Sequence, residues 1–205
     1  MNLKSNIVQG TRVKLPTKYG HFEIIPFLEK ENNKEHIVLV KGTIEPEDIV
    51  LTRIHSACAT GDLFGSLRCD CGEQLDMSLK QIEREGKGLL IYLQQEGRGI
   101  GLMNKIKAYK LQEEGYDTVA ANVQLGFRPD ERNYKVASDI LKALGVHKVR
   151  LMTNNPDKIV GIESANIEVV ERIPIVIRDN RYNRDYLATK QLRMNHLFSP
   201  IGISD

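Results

Sequence analysis

The pattern of apolar and polar residues predicts an N-terminal region of short strands. Within residues 13–51, the runs HFEIIPFLE and EHIVLVKG are rich in β-branched residues and are separated by the polar KENNK. KYG precedes the first run and KGTIEPED follows the second, and both are typical of turns or loops. The pattern therefore predicts a small antiparallel sheet.

After this region, helical and strand patterns alternate. EQLDMSLKQIEREGKG carries Leu75, Leu79 and Ile82 at helical spacing, and Gly86 and Gly88 end the pattern. GLLIYL is a continuous apolar run, which predicts a strand buried on both faces. QEGRGIG then opens a second helical pattern, LMNKIKAYKLQEEG. This strand–loop–helix order is typical of an α/β sheet.

The last third of the chain continues the alternation. DERNYKVASDILKALG predicts a third helix, HKVRLMTNNP a strand that ends in a polar loop, and IEVVERIPIVI a strand pair or one bent strand. The tail from Arg178 is polar, and we expect disorder from about residue 198. The whole pattern predicts a mixed α/β (α+β) fold, with residues 1–205 as a single domain. An N-terminal antiparallel β region precedes a central sheet flanked by helices.

Composition narrows the class of protein. The chain has 205 residues, 41% of them hydrophobic and 27% charged, which is typical of one globular domain. It has no apolar segment long enough to cross a bilayer and no signal-peptide pattern, so we expect a cytoplasmic protein without a membrane partner. The net charge of +2 and the aromatic content of 6% argue against a nucleic-acid partner.

All three cysteines, Cys58, Cys69 and Cys71, lie in the segment RIHSACATGDLFGSLRCDCGEQ. A disulfide framework is disfavoured in a reducing compartment, whereas this spacing can place three thiolates around one ion, and thiolates select zinc. Three buried core cysteines are the alternative. The polar residues beside the last two favour the metal, since thiols are seldom buried passively in such surroundings.

The fourth zinc ligand is left open by the sequence. If His55 supplies it, the site is closed and structural. If no side chain does, a water takes the position and is activated for hydrolysis.

A glycine-rich loop follows the buried GLLIYL run. Gly97, Gly99 and Gly101 let backbone N–H groups approach an anion at a helix N-terminus, and Arg98 can pair with a phosphate. The G-x-G-x-G spacing matches neither the dinucleotide fingerprint nor the P-loop. A tight turn with a solvated arginine is the alternative.

Two further polar segments are candidates for binding or catalysis. RPDERNY holds Asp130, Glu131 and Arg132, and its pattern favours a capped helix start with acids that complement the helix dipole. TNNPDK holds Thr153 and Lys158 at a predicted strand end, where α/β sheets place ligands. A solvated lysine is the alternative there.

The remaining candidates are ring side chains. Tyr109 lies on the second helical pattern, and its spacing predicts a core position. Four histidines show no ligand spacing and are predicted to lie on the surface: His21, His36, His147 and His196.

Together these motifs resemble GTP cyclohydrolase II, the family that opens riboflavin biosynthesis. RIHSACATGDLFGSLRCDCGEQL, QEGRGIGLMNKIKAYKLQEEGYDT, QLGFRPDER and LMTNNPDK stand in the order and spacing of that family, and YLATKQLRMNHL resembles its C-terminal signature. The resemblance covers nearly the whole chain. The cysteine segment joined to QEGRGIGL is far more specific than either part alone.

The resemblance implies a reaction and its cofactors. The family removes C8 of GTP as formate and releases pyrophosphate, leaving a diaminopyrimidinone with a ribosylamino 5′-phosphate. It implies one zinc ion per subunit on Cys58, Cys69 and Cys71 with water as the fourth ligand, magnesium on the triphosphate, and a homodimer.

The resemblance also implies roles for individual residues. It assigns Asp130 as proton acceptor, Arg132 as the group that attacks the α-phosphate, and Tyr109 to a position near the chemistry. A protonated guanidinium is a poor nucleophile, so electrostatic stabilisation by Arg132 is the alternative. The positions that the resemblance assigns to GTP binding are Arg53, Ile54, His55, Ser56, Gln74, Glu96, Gly97, Arg98, Thr118, Thr153 and Lys158.

One position departs from the family pattern. Ala57 precedes Cys58, where the family often has Glu. This departure keeps open a paralogue that releases pyrophosphate without opening the ring. A second alternative is a zinc-stabilised nucleotide-binding module without turnover, in which His55 closes the site. An RNA-binding zinc module is disfavoured by the charge and the few aromatics.

Overall fold

The computed structural model describes residues 6–197, apart from the side chain of Asp185. Over this range the chain forms one eight-stranded mixed sheet with helices on both faces. The strands are β1 (Ile7–Gln9), β2 (Val13–Thr17), β3 (Gly20–Glu29), β4 (Lys34–Lys41), β5 (Ile49–Ser56), β6 (Gly88–Leu93), β7 (Lys148–Met152) and β8 (Glu168–Ile173). The helices are α1 (Ala59–Asp62), α2 (Cys71–Glu85), α3 (Gly101–Glu113), α4 (Thr118–Gln124), α5 (Lys135–Ala143), α6 (Pro156–Glu163) and α7 (Arg184–Met194), with a 3₁₀ turn at Glu96–Gly99.

The sheet has an antiparallel half and a parallel half. Its order is β1-β3-β4-β6-β5-β7-β8, with β2 also paired to β3. The pairs among β1–β4 and the β4–β6 pair are antiparallel, whereas the β6–β5, β5–β7 and β7–β8 pairs are parallel. The predicted fold class is therefore confirmed, and the antiparallel region and the central sheet are continuous.

The alternation of side chains along β6 shows how the core is divided. Leu89, Ile91 and Leu93 join the larger buried cluster, which includes α5 residues, while Leu90 joins a smaller cluster with Ile82 of α2. Successive side chains of a strand point to opposite faces, so a strand covered by helices on both sides is apolar throughout. The prediction of a strand buried on both faces is confirmed.

The parallel half places three strand ends at one edge of the sheet. The carboxyl ends of β5, β6 and β7 lie side by side there, because the three strands are parallel neighbours. The segments that follow these ends carry Cys58, the glycine-rich loop and Thr153–Asn155. Ligand sites of α/β sheets favour this edge.

Several predicted elements differ from the structure. The predicted helix start at Asp130 is wrong, since α5 begins at Lys135 and the preceding residues form a loop. IEVVERIPIVI contains one strand, β8, which ends at Ile173, so of the two alternatives the strand pair is wrong. Helices α4 and α7 were not predicted. The disorder expected from about residue 198 falls outside the described residues. Among residues 6–197, no helix is long and apolar enough to span a membrane.

His36 was predicted on the surface, and this prediction is wrong. Strand β4 places His36 on the same buried face as Val38 and Val40. Its Nδ1 accepts a hydrogen bond from the Gln94 N–H at 3.1 Å, and its Nε2 lies 3.2 Å from Glu29 Oε2. Burial lowers the pKa of His36 despite the carboxylate.

We expect His36 to make folding sensitive to acid. Because its pKa is lower in the folded chain than the ordinary 6.5, the unfolded chain takes up the proton first. Neutral His36 makes its full contribution to the free energy of unfolding above pH 6.5. Below pH 6.5 this free energy falls by at most about 1.4 kcal/mol per pH unit. Urea unfolding of the wild-type and His36→Gln proteins at pH 7.5 and 5.5 measures this change in the free energy of unfolding. Equal pH dependence in both proteins would contradict this assignment.

Candidate active site

A cleft of about 1070 Å³, counting the part open to solvent, lies at the edge formed by the three strand ends. It brings together residues from the cysteine segment, the glycine-rich loop, α3, the 130–134 loop and the β7 end. The predicted site residues that line it are Arg53, His55, Ser56, Cys58, Cys69, Cys71, Gln74, Glu96, Gly97, Arg98, Tyr109, Thr118, Arg132, Thr153 and Lys158. Ile54 and Asp130 do not line it, although each contacts a residue that does.

The three cysteine thiols form a compact cluster. Their Sγ atoms all lie within 4.8 Å of one another, and those of Cys58 and Cys69 are 3.6 Å apart. Cys58 immediately precedes α1, whereas Cys71 is the first residue of α2. Three thiol donors at this separation fit the ligand preference of zinc.

The pKa values of the three thiols differ because the sulfurs are close enough to form hydrogen bonds and to repel one another when charged. Hydrogen bonds from the thiols of Cys69 and Cys71, together with the nearby Lys105 ammonium, lower the pKa of Cys58. The same hydrogen bond, with burial and the charge on Cys58, raises the pKa of Cys69 to about 11. The pKa of Cys71 is also raised, because its thiol donates to both other sulfurs. A bound divalent cation would relieve this repulsion and deprotonate all three thiols.

The thiol cluster packs directly against Gly61 of α1, which has no side chain. A Cβ at this position would lie 2.9 Å from Cys69 Sγ, 3.1 Å from Cys71 Cβ and 3.3 Å from Cys58 Sγ. Only a residue without a side chain fits such a close approach.

We therefore expect Gly61→Ala to reduce the zinc content of the purified protein by half or more. The added methyl group displaces Cys69, and the three sulfurs can then no longer surround one ion. Gly65→Ala is the control for backbone strain alone, because its φ of 62° disfavours a side chain while a Cβ there meets no atom within 4 Å. Metal analysis of the two variants makes the comparison. A full zinc content in Gly61→Ala would show that the cluster tolerates the methyl group.

His55 does not belong to the thiol cluster. Its Nε2 lies 3.1 Å from both carboxylate oxygens of Asp62, and its ring stacks on that of Tyr92 at 5.5 Å between centroids. Asp62 also accepts hydrogen bonds from the Tyr92 hydroxyl at 2.8 Å and the Cys58 N–H at 2.9 Å. Burial lowers the pKa of His55, so it is neutral at pH 7. These contacts hold the first cysteine in place and favour the open site.

Lys105 and Glu96 form a buried ion pair beside the thiols. The Lys105 Nζ lies 2.8 Å from Glu96 Oε1 and 3.1 Å from Cys58 Sγ. Burial opposes the charge, but the hydrogen bond to Glu96 and the charge on Cys58 raise the pKa of Lys105. Glu96 also accepts from the backbone N–H groups of Ala59 and Gly97. Glu96 therefore joins the glycine-rich loop to the cysteine segment, a role that its position in the sequence did not indicate.

The glycine-rich loop holds Arg98 in an unusual conformation. Gly97 and Arg98 have φ angles of 61° and 59°, in the left-handed region that favours glycine. The Arg98 guanidinium lies over the Tyr186 ring at 5.5 Å, and its two terminal nitrogens are buried without a hydrogen-bond partner among residues 6–197. A buried, unpartnered guanidinium supports the predicted role in binding an anion.

Asp130 and Arg132 form a second ion pair at the cleft. Arg132 donates from Nε to Asp130 Oδ1 at 2.9 Å, and its NH2 group also contacts the other carboxylate oxygen. Burial opposes the charge on Asp130, but Arg132 lowers the pKa of this carboxyl, so it is ionised at neutral pH. Burial likewise opposes the Arg132 charge, but Tyr134 and Asp130 raise its pKa. A guanidinium that stays protonated acts as a cation rather than as a nucleophile.

Arg53 of β5 and Lys158 of α6 are two buried basic side chains at the cleft. Arg53 donates to the Met152 carbonyl at 2.9 Å, and burial lowers its pKa to about 10. Lys158 donates to the Ile54 carbonyl at 2.7 Å. Burial, Arg53 and Arg132 lower the pKa of Lys158 well below its ordinary value. The alternative of a solvated Lys158 is therefore wrong, since its side chain is buried.

Tyr109 was predicted in the core from its spacing, and this prediction is wrong. Its ring is partly buried and lines the cleft, with the hydroxyl 3.4 Å from Thr60 Oγ1 and the Arg68 guanidinium 4.3 Å from the ring centroid. Thr118 lines the cleft as the first residue of α4, which the Asp117 side chain caps. The position of Tyr109 supports the role that the family resemblance implies.

Helix α7 contributes side chains to the cleft, although the sequence pattern identified this segment only as a C-terminal family signature and assigned no site residue to it. Tyr186 and Lys190 of this helix and the nearby His196 all line the cleft. His196 is partly buried against the cleft, so its predicted surface location is also wrong. Burial, Lys190 and other cations lower its pKa to about 3. The i, i+4 spacing of Tyr186 and Lys190 places them on one helix face and was an available signal.

Residues 8–174 match the family model described as GTP cyclohydrolase II. The chain belongs to the GTP cyclohydrolase II family. The family match spans the cysteine cluster, the glycine-rich loop and the Asp130–Arg132 pair, but it ends before α7.

Curated relatives extend this similarity to nearly the whole chain. A riboflavin biosynthesis protein RibBA of Parabacteroides distasonis is 54% identical over 201 residues, which cover 98% of this chain and 50% of the relative. That of Phocaeicola vulgatus is 57% identical over 193 residues, covering 94% and 48%. The chain thus spans about half the length of the curated relatives it matches.

A solved structure also matches at low similarity. It is RibBX, a two-domain 3,4-dihydroxy-2-butanone 4-phosphate synthase from A. baumannii, with a TM-score of 0.47 and 20% identity over 86% of this chain and 42% of that one.

Proposed function

We propose that this protein hydrolyses GTP, opening the imidazole ring with release of formate and pyrophosphate, as a step of riboflavin biosynthesis. The observation that supports this most directly is the three-thiol cluster in the same cleft as a set of cations. Membership of the GTP cyclohydrolase II family supplies the substrate and the reaction. We further propose that residues 1–205 form one catalytic domain.

The charge of the cleft suits a triphosphate. Glu96 is the one carboxylate among the described lining residues, whereas the basic side chains that line the cleft are Arg53, Arg68, Arg98, Lys105, Arg132, Lys158 and Lys190. The Arg98 guanidinium, whose terminal nitrogens have no hydrogen-bond partner among residues 6–197, supports a bound anion. Such an anion would also favour the charged form of Lys158, whose pKa burial lowers. Magnesium on the triphosphate would share the charge, since hard oxygen ligands prefer it.

The thiols of Cys58, Cys69 and Cys71 are proposed to hold one zinc ion, which when bound supplies Lewis-acid chemistry to the hydrolysis. Tyr109, at the edge of the thiol cluster, is proposed to orient the reacting base. Asp130, ionised in its pair with Arg132, is proposed to accept a proton. Arg132 is proposed to stabilise the charge that develops on the α-phosphate.

Product analysis on GTP tests the proposal. We expect one formate and one pyrophosphate per GTP consumed, and no formate from ATP. A zinc-loaded protein that binds GTP but releases nothing would instead be a binding module without turnover. Pyrophosphate without formate would identify the partial reaction, and in that case Ala57→Glu decides whether the departure at position 57 is the cause. Formate release restored by this exchange would assign the partial reaction to Ala57.

We also propose a cytoplasmic homodimer. Apolar side chains are exposed on α3, where Met103 is 77% exposed, and on the segment after α1, where Leu63 and Phe64 are 73% and 81% exposed. Arg68 and Glu113 join this segment to α3 across 3.2 Å, and exposed apolar groups of this size are typical of a surface covered by another chain. A second copy is the occupant that the family resemblance implies. A monomer mass in sedimentation equilibrium would contradict the dimer.

A further inference from the structure

The helix α7 lies beyond the residues that the family model matches, yet it contributes side chains to the cleft. We propose that Lys190 of α7 is a positioning residue for the reaction, which orients Gln74 and Arg53 through Asp70. This inference rests on the proposed function, because its effect is on the turnover of GTP.

A continuous series of hydrogen bonds carries the effect of Lys190 into the cleft. The Lys190 Nζ lies 2.6 Å from Asp70 Oδ1, and Asp70 Oδ2 accepts from Gln74 Nε2 at 2.5 Å. Gln74 Oε1 in turn accepts from Arg53 NH2 at 2.6 Å, while Arg53 NH1 donates to the Met152 carbonyl at 2.9 Å. The series therefore joins α7 to the strand ends beneath the site.

The donors and acceptors in this series of hydrogen bonds allow only one orientation of the Gln74 amide. A glutamine amide has a donor end and an acceptor end, a carboxylate only accepts, and a guanidinium only donates. Asp70 and Arg53 therefore fix which end of the Gln74 amide faces each of them. Asp70 can do this only while its carboxylate stays in place, and Lys190 holds it there.

The charged residues of this series are buried, so the loss of one partner is costly for the others. Asp70 is 1% exposed, Arg53 5% and Lys190 8%. A charge buried without its partner is strongly destabilising, so removal of Lys190 forces Asp70 to find another partner or move. Asp70 lies between Cys69 and Cys71, so its movement displaces the turn that carries two of the thiols.

Further contacts hold α7 over the cleft. The Tyr186 ring contacts the Lys190 ammonium at 4.3 Å and the Arg98 guanidinium at 5.5 Å from its centroid. After the helix, the Leu197 N–H donates to the Asn154 carbonyl at 2.8 Å. These contacts tie the helix to the glycine-rich loop and to the β7 end.

The test compares Lys190→Met with Lys190→Arg, and uses Arg184→Met as the matched control. Arg184 is a cation on the same helix that pairs with Asp179 at the surface and does not line the cleft. We expect Lys190→Met to lose on the order of 10²-fold in kcat for formate release. Lys190→Arg keeps the charge and should stay within about tenfold of wild type. Arg184→Met should match wild type.

The double variant Lys190→Met with Asp70→Asn tests whether the effect passes through Asp70. The double variant leaves no unpaired buried carboxylate, so it can still be assayed if Lys190→Met alone fails to fold. If Lys190 and Asp70 act as one unit, the loss of kcat in the double variant is no larger than the greater of the two single-variant losses. Single losses that multiply would show that Lys190 acts independently of Asp70, and would overturn the inference.

The outcomes separate this inference from the proposed function. If the wild-type protein consumes GTP but Lys190→Met has wild-type kcat and KM, the inference is overturned and the function stands. If Lys190→Met and Lys190→Arg lose zinc and thermal stability to the same extent, the role of Lys190 is structural and the inference is again overturned. If the wild-type protein releases no formate from GTP, the proposed function itself is wrong.

Discussion

Cys58→Ser is expected to abolish formate release from GTP, a loss of at least about 10³-fold, since metal catalysis supplies several kcal/mol of transition-state stabilisation. The hydroxyl is nearly isosteric with the thiol but is a poor zinc ligand, and the two remaining sulfurs cannot complete the site. The variant also leaves the Lys105 ammonium, 3.1 Å from the original sulfur, without its thiolate. Zinc content and formate release measured on the same sample give both consequences.

His55→Asn is the matched control for this variant. His55 is adjacent in sequence to the cluster but pairs with Asp62, so we expect the zinc content to remain near one per chain. Loss of zinc in His55→Asn but not in Cys58→Ser would mean that the imidazole, not the first thiol, is the ligand. The site would then be closed, as in a binding module without turnover.

Arg132→Met is expected to lower kcat by about 10² to 10³-fold with a smaller effect on KM, as happens when one donor to a developing negative charge is lost. The physical reason is that Arg132 stays a cation in its pair with Asp130 and acts on charge that appears in the transition state. Arg132→Lys keeps the charge without the forked geometry and should recover part of the loss. Steady-state kinetics on the two variants measure the effect.

Rapid-quench mass spectrometry examines the covalent alternative for Arg132. We expect no nucleotidyl or phosphoryl adduct on this residue during turnover. An adduct that forms and decays at the rate of catalysis would establish that the guanidinium attacks the α-phosphate, and the electrostatic role would be wrong.

Hydrophobic patterning predicted the sheet and its buried strands because these depend on local periodicity. GLLIYL is a short apolar run that begins at a glycine and ends in a polar loop, and its length and its flanks favour a strand covered on both faces. The helix ending at Gly86 was similarly clear, since this residue has a φ of 76° at the helix end. The joining of the two halves into one sheet needed the β4–β6 pairing, which no local signal encodes.

Site residues were predictable where they form a dense motif and not where they depend on distant contacts. The three cysteines lie within 14 positions and form one cluster in the structure. Lys190 is 120 positions away from Asp70, and Tyr109 resembles a core residue until Arg68 and Thr60 are placed beside it. The loop at Asp130 resembles a helix start because the same acids that cap helices also pair with arginine.

Zinc titration of the metal-free protein, with formate release from GTP as the readout, tests the central claim that the thiol cluster is the hydrolytic centre. We predict that the rate rises linearly and stops rising at one zinc ion per chain. A rate that does not depend on added zinc, or a fully zinc-loaded protein that releases no formate, would contradict the claim.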